Sequence, residues 1–223
     1  STEAEFQSGL IQIQSQASGA GEGFDVFADW QGIYDSVSDR VSKVRKKGFV
    51  GIPTGFPTLD DLTGGLQGGW LTIIGARLGQ GKTWALTRMA CTAAFAGYRV
   101  AYFSLEQPKN QISLRVHTFA SSQYGKDVFR SLDLMRGKGF DLREYQRFLS
   151  GLKAKIPGSL QIYDATKGIV STSSVANVIQ TDQPEIVFID YLTLMSGCKD
   201  WSAIREVTQD LQHEAHRFDV PIV

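Results

Sequence analysis

A glycine-rich loop lies between an apolar run and a helical segment and leaves few folds open to this chain. The run WLTIIG covers residues 70–75, and the loop that follows it reads Ala76-Arg77-Leu78-Gly79-Gln80-Gly81-Lys82-Thr83. An apolar run of this length next to glycine is typical of a buried strand. We therefore predict a buried strand over 70–75, a loop, and a helix over 83–96, which is how a βαβ unit begins.

The loop contains the residue types that a phosphate-binding loop needs. Gly79 and Gly81 allow the backbone torsions and the close approach through which successive N–H groups face phosphate oxygens. The N-terminus of the following helix adds partial positive charge. We predict that Lys82 bridges the β- and γ-phosphates of ATP and that the Thr83 hydroxyl is a ligand of Mg²⁺. The pattern has glycine where Ala76 stands, and alanine can serve there if its torsions suit an L-residue.

One continuous stretch is assigned to nucleotide binding, although a glycine turn before an ordinary helix remains the alternative interpretation. The assigned residues are Ala76, Arg77, Leu78, Gly79, Gln80, Gly81, Lys82, Thr83 and Trp84. The two interpretations differ in whether other parts of a hydrolytic site are present elsewhere in the chain.

Two acidic residues supply such parts. Asp190 ends the apolar run 186–190 and is predicted to join Thr83 in the magnesium site, acting through water. Glu106 follows the run 99–104, so both acids lie at the carboxyl edge of a parallel sheet, where ligands of α/β folds bind. A carboxylate there can orient and deprotonate the water that attacks the γ-phosphate. In the alternative interpretation Asp190 is a turn or cap residue, and Glu106 is an acid favoured by a helix dipole.

Strand-like and helix-like segments alternate after Gly48. Besides 70–75, the predicted strands are 99–104, 160–164, 186–190 and the start of another at 220–223. The predicted helices are 108–122, 172–181 and 202–218, with a polar, helical insertion over 125–155. On the last helix one face carries Ile204, Val207, Leu211, Ala215 and Phe218. This order predicts a doubly wound α/β fold with a largely parallel sheet flanked by helices.

The first 47 residues have a different texture. Residues 1–23 are rich in Ser, Gln, Gly and Ala and are predicted to form a flexible tail or linker. Residues 24–47 are predicted to form an amphipathic linker helix that ends at Gly48. Its apolar residues are Phe27, Trp30, Ile33, Tyr34, Val37, Val41 and Val44. The basic run 43–47 could touch phosphate, but basic residues in a last helical turn also suit the helix dipole, which is the favoured interpretation.

Composition excludes several classes of protein. The apolar content of 42% is ample for a core, and Lys plus Arg equals Asp plus Glu at 23 each, so global charge gives no sign of nucleic-acid binding. Two cysteines, Cys91 and Cys198, make neither a disulfide framework nor a metal cluster, which favours a reduced, cytoplasmic setting. No membrane span and no secretion signal are expected. The chain begins at Ser1 and ends in an apolar run, so we expect a fragment.

Three other features are interpreted without a ligand. His213 and His216 in HEAHR are three residues apart, whereas the zinc-protease pattern needs four, so they are predicted to lie on the solvated side of the last helix. His117 has no obvious partner in the sequence, so packing or a surface position is its default interpretation. Cys91 is predicted to be a small buried residue and not a catalytic thiol.

The stretch 51–107 resembles the C-terminal ATPase domain of DnaB-type replicative helicases, particularly phage-like members. The matching elements are Pro53-Thr54-Gly55, Leu59-Asp60, Gly64-Gly65-Leu66, Ala76-Arg77 and Phe103-Ser104-Leu105-Glu106. The block VFIDYLTLM, residues 187–195, is similar to the strand of the family that ends in the magnesium aspartate. Together with the helix and strand after it, these blocks cover most of residues 51–223, and 125–180 contributes little.

The resemblance implies a RecA-like domain, here 48–223 and incomplete at its C-terminus, that assembles into a ring, usually a hexamer. ATP then lies between neighbouring subunits and single-stranded DNA passes through the centre. Glu106 and Lys82 take the catalytic positions, and Thr83 and Asp190 the metal positions. The linker helix packs on an adjacent subunit. Primase and a helicase loader are implied partners, and the implied compartment is the bacterial cytoplasm, with a phage-encoded origin open.

Some family parts are not found in this chain. The nucleotide-sensing glutamine, the arginine finger and the main DNA-gripping loop of the family follow the strand that begins at Val220, and the primase-binding domain precedes the linker helix. In the loop 196–202, Lys199 and Trp201 could contact phosphate and stack on a base, although a loop that contains Gly197 needs no ligand to explain it. Two alternatives stay open: a RecA-like ATPase of the recombination-mediator or ATP-gated scaffold type, and a nucleotide-binding module without motor function.

Overall fold

The computed structural model describes residues 25–77 and 79–223. The predicted tail 1–23 and Leu78, one of the residues assigned to nucleotide binding, lie outside these ranges. The chain divides after Gly48 into two compact units, Ser1–Gly48 and Phe49–Val223.

The described part of the first unit is a single helix, α1, which spans Trp30–Lys47. The prediction that it begins at residue 24 was wrong. The Asp25 carboxylate accepts hydrogen bonds from the N–H groups of Phe27 and Ala28 at 2.9 and 3.0 Å, which makes a turn, and Asp29 then caps the helix. The helix ends as predicted at Gly48, whose φ of 84° is left-handed and whose N–H bonds to the Val44 carbonyl.

The apolar stripe predicted for this helix is present and exposed. Its members are Trp30, Ile33, Tyr34, Val37, Val41 and Val44, and Phe27 in the preceding turn is 93% exposed. A helix of this length that leaves its apolar face in water gains little from tertiary packing, which is the main source of helix stability in proteins.

The second unit is built on a parallel sheet. Its strands are β1 (Arg99–Ser104), β2 (Ser159–Asp164) and β3 (Ile186–Asp190), in the spatial order β2-β1-β3. Parallel bridges from Val187 to Ile222 and from Ile222 to Leu71 extend the sheet beyond β3. The three strands confirm the predictions for 99–104, 160–164 and 186–190.

The prediction of a buried strand over 70–75 was wrong. Only Leu71 forms a bridge, and Ile73 is 63% exposed. The cause is that the segment pairs on one side only. The Thr72 N–H donates to the Ile222 carbonyl at 2.8 Å, and among the described residues the stretch at Ile222 is the only strand-like neighbour of 70–75. The predicted strand at 220–223 is likewise reduced to a bridge at Ile222, although Ile222 and Val223 are buried.

Seven further helices accompany the sheet. They are α2 (Pro57–Thr63), α3 (Lys82–Phe95), α4 (Lys109–Tyr124), α5 (Ser131–Arg136), α6 (Leu142–Leu152), α7 (Thr172–Asp182) and α8 (Trp201–Phe218). The predictions for α3, α4, α7 and α8 are confirmed to within two residues at each end. The predicted insertion contains α5 and α6, and short 3-10 turns follow β2 and β3.

The core has one layer on each face of the sheet. Val100, Tyr102 and Phe188 pack with α3 on one face, whereas Ala101, Phe103 and Val187 pack with α7 and α8 on the other. Alternate strand residues therefore serve opposite layers. On α8 the predicted apolar face is buried through its members Val207, Leu211 and Ala215. Cys91 in α3 is buried as predicted, and burial raises the pKa of its thiol to about 12.

His117 is packed against a neighbouring helix, which is one of its two default interpretations, and it has a partner that the sequence did not indicate. Its Nδ1 lies 2.6 Å from the Tyr145 hydroxyl, which joins α4 to α6. Tyr145 also packs edge-on against Phe129 and Phe140. Burial lowers the pKa of His117 and raises that of Tyr145. His213 and His216 are exposed on α8 as predicted.

No helix in the described ranges is both long and apolar enough to cross a membrane.

Candidate nucleotide-binding site

The loop before α3 is shaped by two glycines with left-handed torsions. The φ angles of Gly79 and Gly81 are 75° and 86°, a region that other L-residues rarely adopt. A Cβ added at either glycine would meet no described heavy atom within 4 Å, so both face open space. The loop backbone is therefore accessible to a ligand on the side where these glycines lie.

Gly81 is the N-cap of α3, and no side chain of the described residues caps this helix. The first N–H groups of a helix have no intrahelical acceptor. An uncapped start next to an open loop therefore offers N–H donors and partial positive charge to an anion.

Lys82 and Thr83 form the first turn of α3. Tyr191 directly follows β3, and the Lys82 Nζ lies 5.0 Å from the centroid of its ring. The Thr83 carbonyl accepts a hydrogen bond from the Thr87 hydroxyl at 2.6 Å, while Thr83 itself is partly exposed. The structure therefore brings the helix start against the end of β3.

Asp190, the last residue of β3, is buried with 2% of its surface exposed. The Tyr102 hydroxyl donates to its Oδ2 at 3.0 Å, whereas its Oδ1 is buried and has no hydrogen-bond partner among the described residues. A buried polar atom without a partner costs about 1–3 kcal/mol. Oδ1 is therefore suited to accept a hydrogen bond from a water that is a ligand of Mg²⁺.

The donor set agrees with this metal, since Mg²⁺ prefers oxygen ligands and retains several waters. Thr83 offers a hydroxyl and Asp190 a carboxylate. Both come from element ends that the structure brings to one edge of the sheet, so the residues present fit a hydrated magnesium ion.

Glu106 lies at the same edge. Ser104, the last residue of β1, is paired with Asp190 in the sheet, and the Leu105 N–H donates to the Asp190 carbonyl at 2.8 Å. Glu106 is the next residue and is exposed. The two predicted acids thus lie at the carboxyl ends of adjacent strands, one buried and one in contact with solvent.

The other residues assigned to nucleotide binding surround this edge. Ala76 lines a cavity of about 420 Å³ together with Lys82 and Asp190. Most of the cavity wall is apolar, with Leu71, Ile73, Ile74, Leu86 and Ile189 among its members. Only the end near Lys82 and Asp190 therefore suits a phosphate. Arg77 is exposed, and its carbonyl accepts a bond from the Gln80 N–H at 3.3 Å.

Trp84, the third residue of α3, is 40% exposed. The Arg115 guanidinium lies 5.1 Å from the centroid of its ring system, and Phe119 packs edge-on at 5.7 Å. Both partners belong to α4, so this helix holds the indole beside the loop.

Sequence reasoning missed three residues of this site: Tyr102, Arg115 and Tyr191. Tyr102 looks like one more apolar residue of a buried strand, and only the register of β1 against β3 reveals its contact with Asp190. Tyr191 could have been suspected, because it directly follows the predicted magnesium aspartate.

Residues 51–223 match the family model of the DnaB-like helicase C-terminal domain. The chain is 30% identical over 236 residues to the replicative DNA helicase DnaB of Helicobacter pylori strain 26695, an alignment that covers 96% of this chain and 45% of the relative. It is 31% identical over 207 residues to DnaB of Pasteurella multocida, with 86% and 42% covered. The chain therefore spans less than half the length of these relatives.

Two solved structures are similar to this one. One is described as an ATPase domain; it superposes with a TM-score of 0.67 at 21% identity, and the match covers 90% of this chain and 70% of that one. The other, a DnaB-like replicative helicase described with its interactions with primase, gives 0.64 at 22% identity, with 98% and 52% covered. The likeness confirms the predicted RecA-like α/β fold. With the family model matched over residues 51–223, the chain belongs to the DnaB-like helicase C-terminal domain family.

Proposed function

We propose that this chain is the ATP-hydrolysing motor of a replicative DNA helicase, which moves along single-stranded DNA and unwinds the duplex. The observation that carries the proposal is the edge of the sheet where Lys82 and Asp190 wall one cavity and Asp190 keeps a buried oxygen without a partner among the described residues. Membership of the helicase family supports DNA unwinding as the work that hydrolysis drives. The alternative of a recombination-mediator or ATP-gated scaffold ATPase is less favoured, because the named relatives are replicative helicases.

Each residue of the site has a proposed chemical task. The loop 76–84 binds the phosphates of ATP, with backbone N–H groups around the phosphate oxygens and the Lys82 ammonium across the β- and γ-phosphates. Thr83 and Asp190 would hold Mg²⁺, which neutralises phosphate charge when bound. Glu106 is exposed and so can reach a water molecule, which it orients and from which it removes a proton. The Trp84 indole contacts the nucleotide beyond the phosphates.

The partners are proposed from the family and from α1. The apolar stripe of α1 would pack on a neighbouring copy of the chain and so hold a ring, which in this family is usually a hexamer. Single-stranded DNA would pass through that ring, and the exposed Trp201 and Lys199 after β3 are candidate contacts. Primase and a loader are proposed as further partners, since one similar helicase is described with primase. The proposed compartment is the bacterial cytoplasm.

The test uses the complete gene product. We expect ATP hydrolysis that single-stranded DNA stimulates, together with separation of a forked duplex. Lys82→Ala should abolish both while the protein stays folded, because in the structure Lys82 contributes one contact with Tyr191, worth about 0.5–1 kcal/mol. A folded wild-type protein that binds ATP but shows neither DNA-stimulated hydrolysis nor unwinding would sink the proposal.

A further inference from the structure

The Tyr102 hydroxyl occupies an unusual place for a polar group. Tyr102 lies in the middle of β1 with no exposed surface, and its ring stacks on Phe188 with centroids 6.2 Å apart. A buried tyrosine hydroxyl needs a hydrogen-bond partner. It does not find one on Phe188, its neighbour across the sheet, and donates instead to Oδ2 of Asp190, two positions further along β3.

A second buried hydroxyl, that of Thr87, lies beside the Tyr102 hydroxyl on the helix that carries the loop. Thr87 lies one turn after Thr83 on α3 and is fully buried. Its hydroxyl donates to the Thr83 carbonyl at 2.6 Å and lies close to that of Tyr102, which donates to Asp190. Two buried hydroxyls therefore lie between the first turn of α3 and Asp190, and each is bonded to one of them.

We propose that Tyr102 is a positioning residue for the magnesium site. Its hydroxyl donates a hydrogen bond to Oδ2 of Asp190, so that the other carboxylate oxygen, Oδ1, is left to face the helix start. The neighbouring Thr87, bonded to the Thr83 carbonyl, holds the other residue that would bind the metal. The inference rests on the proposed nucleotide site and adds a residue that touches neither nucleotide nor metal.

The physical reason is the freedom of an aspartate carboxylate. The torsion about its last bond has broad minima, so a carboxylate without a fixed donor samples several orientations. A single donor on one oxygen selects one of them. Groups that orient a metal ligand in this way typically change metal affinity by about 10- to 100-fold when they are removed, and the lower end applies to Asp190, which would reach the metal through water. A tyrosine that merely satisfies its own hydroxyl would affect stability and leave metal affinity unchanged.

The test is Tyr102→Phe, which removes the hydroxyl and keeps the ring on Phe188. We would titrate Mg²⁺ into the protein with a fluorescent ADP analogue and record the Mg²⁺ concentration at half-maximal binding. That concentration should rise about tenfold in the variant. Binding of the same analogue in EDTA should be unchanged, because the loop donors are intact.

Tyr163→Phe is the matched control. Tyr163 is also a sheet tyrosine whose hydroxyl donates to a carboxylate, that of Asp182, but it lies on β2. It should leave the Mg²⁺ midpoint at the wild-type value. An unchanged midpoint in Tyr102→Phe, with only a lower melting temperature, would overturn the inference. If the wild type binds no analogue with or without Mg²⁺, the proposed nucleotide site itself fails.

A second pair of variants covers the case in which Tyr102→Phe does not fold. Thr87→Val removes the second buried hydroxyl with a side chain of nearly the same shape, and Thr87→Ser keeps the hydroxyl. The valine variant should raise the Mg²⁺ midpoint and the serine variant should leave it at the wild-type value. Equal midpoints in the two variants would contradict the role of the two hydroxyls.

Discussion

The two acids at the sheet edge differ in their contact with solvent. Asp190 is almost completely buried and bonded to Tyr102, whereas Glu106 is exposed in the turn after β1. A buried carboxylate that is held at one oxygen suits a fixed role beside a cation. An exposed carboxylate one turn from a helix start can meet a water molecule and exchange a proton with it. The difference in burial therefore supports different tasks for two chemically similar residues.

Glu106→Gln should separate ATP binding from ATP turnover. Glutamine keeps the size of the side chain but cannot take a proton, so we expect turnover to fall by about 10²- to 10⁴-fold while nucleotide affinity stays within about twofold. Steady-state hydrolysis and equilibrium binding of a fluorescent ATP analogue measure the two effects. Glu144→Gln in α6 is the matched control and should leave both unchanged. Turnover above a tenth of the wild-type rate in Glu106→Gln would remove Glu106 from the catalytic role.

At the scale of elements, the contact between α4 and α6 makes stability depend on pH. Burial lowers the pKa of His117 below its ordinary value of about 6.5, so the folded protein holds a neutral imidazole beside Tyr145. The unfolded chain takes up this proton at higher pH than the folded one does. Stability from this residue is therefore complete above about pH 6.5 and is lost as the pH falls toward the lowered value.

Melting temperatures between pH 7.5 and pH 5 test this sign. The wild type should lose stability on acidification more steeply than His117→Gln, in which the titrating group is absent. His213 and His216 are exposed in both proteins and contribute equally. Parallel curves for the two proteins would contradict the assignment to His117.

The exposed stripe of α1 makes a prediction about assembly. Val37 lies within the stripe, and a charge there would have to be desolvated in a contact with a second copy. Val37→Glu should therefore shift the complete gene product from its oligomer toward the monomer in analytical ultracentrifugation. Ser42→Glu places the same charge on the opposite, polar face of α1 and should keep the oligomer. An unchanged sedimentation profile for Val37→Glu would show that the stripe has another use.

At the scale of the whole molecule, sequence patterns predicted what is local. The runs 99–104, 160–164 and 186–190 are strands, because each is a short apolar run between turns and is paired within the chain. The run 70–75 looks the same in sequence but pairs at one point, since pairing depends on distant residue 222. The bond from Tyr102 to Asp190 was hidden for the same reason: it follows from strand register and not from spacing.

In the candidate site too, the sequence predicted the local segments and missed the contacts between distant residues. Its loop, Lys82 and the two acids lie within recognisable segments, and the structure brings Lys82, Asp190 and the residues around Glu106 to one edge. Tyr191 and Arg115 belong to the site because of contacts between elements: Lys82 lies over the Tyr191 ring, and Arg115 lies over the Trp84 ring. Side chains that meet across elements are set by packing, which periodicity in a single sequence does not encode.

The proposed ring predicts that hydrolysis depends on concentration. If each ATP lies between neighbouring copies, an isolated copy binds ATP but lacks groups that act on the transferred phosphate. The specific activity of the complete gene product should therefore rise with protein concentration while ATP affinity stays constant. Hydrolysis assays over a wide range of dilution measure this. A high specific activity that does not change on dilution would favour a site complete within one copy.

The packing of α3 has a mechanical consequence. Its buried side includes Ala90, Ala93 and Ala94, and small side chains let the helix approach the sheet closely. At its far end the Ala94 carbonyl accepts a bond from the Gly158 N–H at 3.1 Å, just before β2, where any larger residue would collide with the backbone. Close-packed interiors are nearly incompressible. We therefore expect α3 to move as a rigid body, so that a displacement of the loop at its first turn also displaces the contact between Ala94 and Gly158.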